Sequence, residues 1–131
     1  MPLDEFLEYL KRRAGPALRV VMWYAGDDFG ELYVRSDLPR DVIATRSRHL
    51  AETLTAASDG SAESPLDELG EEAAMVQVRT EVVIIRFPLD GDRGIMASLD
   101  ASVAKDLHEF VVTCSEKLGD EPVEFRRSAA A

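Results

Sequence analysis

Three strand-like runs follow one another between residues 74 and 99, with only a few residues between them. This spacing constrains the fold more than any other feature. Residues 74–79 alternate, with Val76 and Val78 expected inward and Met75, Gln77 and Arg79 outward. Residues 81–87 form an apolar run closed by Pro88 and read as a central strand. Residues 95–99 return after the tight turn Asp90-Gly91-Asp92-Arg93-Gly94. Parallel neighbours need a crossover of roughly a dozen or more residues. These links are too short for one, so the runs must pair as antiparallel hairpins.

The rest of the chain supplies helices and a second hairpin. Leu3, Phe6, Leu7, Leu10 and Ala14 recur at helical spacing, and Gly15-Pro16 stops that helix. Residues 18–25 are β-branched and aromatic, as a buried strand requires. A turn over residues 26–30 then leads into residues 32–35, which pair back. Ser36-Asp37-Leu38-Pro39 reads as the start of a helix running to about Ala57, with Ile43, Leu50, Leu54 and Ala57 as its stripe. Residues 58–72 are rich in acids and turn formers, and read as a flexible loop with one short turn around residues 66–69. Asp100 is expected to cap a last helix. Val103, Leu107, Phe110, Val111, Cys114 and Leu118 form its apolar stripe, and Gly119 ends it. The expected fold is α+β: a mostly antiparallel five-stranded sheet flanked by helices, in the order αββαβββα. Residues 1–120 are expected to form one domain, with residues 121–131 a frayed tail.

Charge excludes more than it assigns. Asp and Glu number 25 against 15 Lys and Arg, a net charge of −10. Nucleic-acid binding needs a basic patch, and the longest basic runs are Lys11-Arg12-Arg13 and Arg126-Arg127, so that class is disfavoured. Only three of the bases are lysines (Lys11, Lys105, Lys117). Few lysines and many acids suggest a high-salt host, where carboxylates hold water and their repulsion is screened. A GC-rich genome, which also favours Arg, gives the same pattern. Cys114 is the single cysteine, so no intramolecular disulfide is available. With no signal-like or membrane-spanning run, the expected location is the cytoplasm, with no membrane partner.

No catalytic constellation, cofactor motif or metal site is readable, and the chain is expected not to be an enzyme. His49 and His108 sit on different helices, and Glu52 is the nearest acid to His49 on its face. Asp27, Asp28 and Glu31 could gather a cation but read more simply as a hydrated turn. Phosphate loops and nucleophile elbows are missing. Cys114 on an apolar stripe behaves as a small hydrophobe. Trp23 and Tyr24 are adjacent in a strand and must face opposite sides. One belongs to the core, and the other is a candidate aromatic for a ligand or partner.

Two segments carry a resemblance. Residues 18–38 (LRVVMWYAGDDFGELYVRSDL) and 94–114 (GIMASLDASVAKDLHEFVVTC) resemble a family of small haloarchaeal proteins of unknown function. Its L-Y-x-R-S-D-L strand and G-I-x-x-S-x-D-x-x-V helix start imply structural rather than catalytic motifs, and a halophilic origin. The element order is also similar to roadblock/longin-like and profilin-like folds. Roadblock domains typically dimerise and serve as scaffolds or regulators of small GTPases. The fifteen-residue stretch before the third strand departs from that compact pattern.

The first expectation is therefore a non-catalytic interaction or regulatory module, homodimeric or bound to another protein. Its interface would be built from Arg46, His49, Leu50 and Leu54 of the second helix with Met75, Gln77 and Arg79 of the third strand. The alternatives are a small-molecule sensor with a pocket between sheet and helices near Trp23 or Tyr24, and an enzyme using carboxylates around Asp27.

Overall fold

The computed structural model describes residues 2–57, 65–70 and 72–120. The expected calls for residues 58–64 and the tail lie outside them. Three α-helices, α1 (Leu3–Ala14), α2 (Arg40–Ala57) and α3 (Lys105–Asp120), accompany five strands. The strands are β1 (Leu18–Ala25), β2 (Asp28–Val34), β3 (Met75–Val78), β4 (Val82–Pro88) and β5 (Arg93–Asp100). The order is αββαβββα, and every neighbouring pair in the sheet β2-β1-β5-β4-β3 is antiparallel. β4 is an interior strand, as its composition implies, and the middle position belongs to β5. β5 is buried from Gly94 to Leu99 because it is flanked on both edges and covered on both faces.

Helix α1 ends as its sequence demands, with Gly15 at φ 57. The β1–β2 hairpin is tighter than the five-residue turn expected. Gly26, at φ 60, and Asp27 make a two-residue connection of the type that needs a positive φ at its first position. Two glycines let aromatic rings of β1 cross its neighbours: Trp23 lies against Gly30 of β2 and Tyr24 against Gly94 of β5.

One face of the sheet is dry. Leu18, Val21, Ile95, Ala97 and Leu99 pack beneath Phe6, Leu7, Leu10 and Ala14 of α1. Phe6 meets Phe87 of β4 edge to face at 5.6 Å. Leu18 and Val20 are two residues apart yet belong to opposite faces. The β1–β5 register slips at Arg19, and this bulge reverses the alternation.

Several expected details are corrected. Asp100 precedes a short 3₁₀ turn, Ala101–Ala104, and makes no side-chain cap; its carboxylate is held by two arginines instead. On β3 the expected inward pair is poorly covered: Val76 is 47% exposed and only Val78 is half-buried, because β3 is a sheet edge. Of the stripe expected for the last helix, Val103 falls in the 3₁₀ turn before α3, and both it and Leu107 are exposed. The side chains of Leu54, Phe110, Val111, Cys114 and Leu118 lie outside the described set.

Candidate functional site

The second face of the sheet is built differently. Helix α2 packs on β1 and β2, and a groove of about 790 Å³ runs between it and β5, β4 and the end of β3. Its floor is apolar, with Val20, Ile43, Ile84 and Met96. Arg19, Arg46, His49 and Arg79 line it as well.

The groove exists because of what α2 turns toward the sheet. Ile43, Ser47 and Ala51 are its buried residues among those described, spaced four apart on one stripe. A serine and an alanine stand where leucines would fill a core. The contact therefore splits into two clusters. Val20, Val34 and Ile43 form one; Met22, Ala51 and Met96, with Phe29, Leu50 and Ile84 beside them, form the other. Ser98 of β5, whose strand neighbours are Val20 and Ile84, also lines the space. Ser47 is 2% exposed and Ser98 9%, yet neither hydroxyl makes a hydrogen bond among the described residues.

Of the residues singled out from sequence, Arg46, His49, Leu50, Gln77 and Arg79 come together along this groove. Met75 lies on the same face of β3 as Gln77 but outside the groove, with its sulfur 3.6 Å from Arg86 Nη2. Trp23 and Tyr24 do not line it. Tyr24 is core, 1% exposed, and its hydroxyl has no partner among the described residues. Trp23 is half-buried and points to the opposite face of β1. Sequence reasoning missed Arg19, Ser47 and Ser98. The only signal for Ser47 was a small polar residue midway between Ile43 and Ala51. His108, weighed from sequence only as a metal ligand, donates from Nε2 to the Arg79 carbonyl at 2.7 Å and so ties the start of α3 to the β3–β4 turn.

Beside the groove stands an ionic clamp made from the two motifs that carried the resemblance. Arg35 bonds Asp37 at 2.6 Å, Asp100 at 2.7 Å and the Pro16 carbonyl at 2.9 Å, and Arg19 approaches Asp100 at 3.6 Å. The clamp joins the end of β2, the end of β5 and the turn before β1. The hydrogen bond from Arg35 holds the Asp37 carboxyl below its ordinary range. Asp37 and Asp100 in turn raise the Arg35 guanidinium above its own.

Arg46 and Arg79 make no ion pair among the described residues. Glu81 is the single acid among the groove's described lining, against three arginines, in a chain of net charge −10. The groove is thus a basic, partly apolar recess on an acidic protein. No three His, Cys, Asp or Glu residues group to hold a metal ion among the described residues, Asp27, Asp28 and Glu31 included. No described helix is long and apolar enough to cross a membrane.

These features define an antiparallel α+β domain with one dry face and one grooved face. The chain belongs to the DUF7522 family, a domain of unknown function whose model matches residues 4–119. Comparison with curated proteins gives no match.

Proposed function

We propose that the protein is a non-catalytic interaction or regulatory module that pairs with a second copy of itself through the outer edge of β3. The observation that carries this reading is the outer edge of β3, which pairs with no other strand among the described residues. In an antiparallel ladder, residues bonded to the partner strand alternate with residues facing away. Arg79 donates to the Val82 carbonyl at 2.9 Å, so Gln77 and Met75 face β4 while Val76 and Val78 present their backbone groups outward. The strand Met-Val-Gln-Val carries no charge, and Met75 and Val76 are half exposed. The opposite edge, β2, carries Asp28 and Glu31, which discourage pairing. Identical strands pair antiparallel about a two-fold axis, so a second copy is the self-complementary occupant. The likeness of the element order to dimeric roadblock scaffolds supports it.

Light scattering after size exclusion, in molar KCl and over a range of concentrations, tests this reading. The wild type is expected to be a dimer. Val76→Pro, which removes an outward N–H and leaves the β4 ladder intact, is expected to be a folded monomer. A wild-type monomer at every concentration contradicts the reading.

The acid excess and the preference for Arg over Lys support a high-salt host. Stability should then rise strongly between dilute buffer and molar KCl; a flat response contradicts the habitat.

A second reading, a small-molecule sensor, is favoured by the groove itself. Its volume falls within the range of ligand sites, roughly 300–1,000 Å³.

A further inference from the structure

We infer that the groove beneath α2 binds a small organic anion, with its phosphate or carboxylate held by Arg46 and Arg79 and its apolar body on Ile84 and Met96. The inference rests on the sensor reading and adds the chemical class of the ligand.

Three observations converge. The first is charge. Arg46 and Arg79 approach the recess from different elements, α2 and the end of β3, and neither has an acidic partner among the described residues. The forked guanidinium matches the oxygens of a carboxylate or phosphate. The second is the polar lining. Ser47 and Ser98 line the groove and neither hydroxyl makes a hydrogen bond among the described residues, so both are open to a ligand oxygen. The third is the floor, which is too apolar for a free inorganic ion alone and suits a carbon skeleton. A small ligand is favoured over an acidic peptide because the recess, about 790 Å³, has the size of a small-molecule site.

The groove does not depend on the β3 edge being paired, so binding and dimerisation are separable. The test is titration of ¹⁵N-labelled full-length protein with phenyl phosphate, followed by amide NMR. Inorganic phosphate, benzyl alcohol and an acidic peptide serve as comparison probes. Phenyl phosphate is expected to give saturable shifts at the amides of Val20, Ser47, Ile84 and Ser98. The Arg46→Gln/Arg79→Gln double variant should weaken binding by about tenfold or more while the fold is unchanged. Val76→Pro should bind as the wild type does. Benzyl alcohol binding as tightly as phenyl phosphate, or a double variant that binds normally, overturns the anion assignment and leaves the sensor reading standing. Shifts from the acidic peptide alone overturn it in favour of a peptide site. No saturable shift with any probe overturns both the assignment and the sensor reading.

Discussion

The two faces of the sheet are made from the same strands and yet do different work. On the α1 face, Leu18, Val21, Ala97 and Leu99 meet Phe6, Leu7 and Leu10 in one continuous cluster. On the α2 face the apolar contact is broken in two, with Ser47 and Ser98 beside the break and Arg86 buried farther along. The first arrangement suits stability. The second gives up packing on the side where a recess and an open strand edge are found. The difference shows how one helix can be tuned by a single stripe. Ile43, Ser47 and Ala51 hold α2 on the sheet without filling the space beneath it.

Mutation can break this contrast most sharply at Leu18, which is wholly buried on the dry face. Leu18→Ala should destabilise by about 3 kcal/mol, read from urea unfolding, because the cavity is walled by β5 and α1. Ser47→Val on the other face should be neutral or stabilising, since it fills a recess; a loss comparable to Leu18→Ala would mean that the two faces are equivalent. Gly94→Ala comes next. A methyl there meets the Tyr24 ring and lies 2.8 Å from the Phe87 carbonyl, so about 2 kcal/mol should be lost in the same assay.

The clamp should contribute less. Asp100→Asn removes its links to Arg35 and Arg19 and should cost about 1 kcal/mol. Its pH dependence follows from the signs. Asp37 has a lowered pKa, so its contribution is present above the ordinary carboxylate range and is lost as pH falls through its folded value. Arg35 is raised and stays charged throughout that window. Asp37→Asn should therefore flatten the acid limb of the stability curve, measured by urea unfolding at stepped pH; an unchanged limb would remove Arg35–Asp37 from the account. Smallest of all should be the effect of Arg46→Gln and Arg79→Gln on stability. Each is exposed and without an acidic partner among the described residues, so unfolding should shift by less than about 0.5 kcal/mol. A larger loss would show that these arginines hold the fold rather than await a ligand.

The architecture was legible in the sequence because short links leave hairpins no alternative and because apolar periodicity tracks burial. The bounds of β1, the ends of α1 and the last residue of α2 agree with the reading, down to Gly15, whereas α2 starts at Arg40, just after the Pro39 expected in its first turn. Composition placed β4 correctly in the sheet interior, between β5 and β3, but did not mark β5, which takes the middle position with alanine, serine and glycine in it. The bulge at Arg19 was invisible, because nothing in Leu-Arg-Val-Val signals a register slip. Asp100 looked like a cap, as acids before helices usually do, and its partners at Arg19 and Arg35 are remote in sequence. The groove was half legible. Arg46, His49, Leu50, Gln77 and Arg79 stood out as amphipathic positions on α2 and β3, whereas Ser47 and Ser98 were silent because a buried serine has no pattern of its own.

Amide hydrogen exchange on β3 tests the central claim, that the edge beside the groove is a docking strand for a second copy. The outward amides of Val76 and Val78 should be protected at high protein concentration in molar KCl. They should exchange freely on dilution, while Gln77 stays protected by β4 throughout. Val76 and Val78 exchanging freely at every concentration would contradict the account.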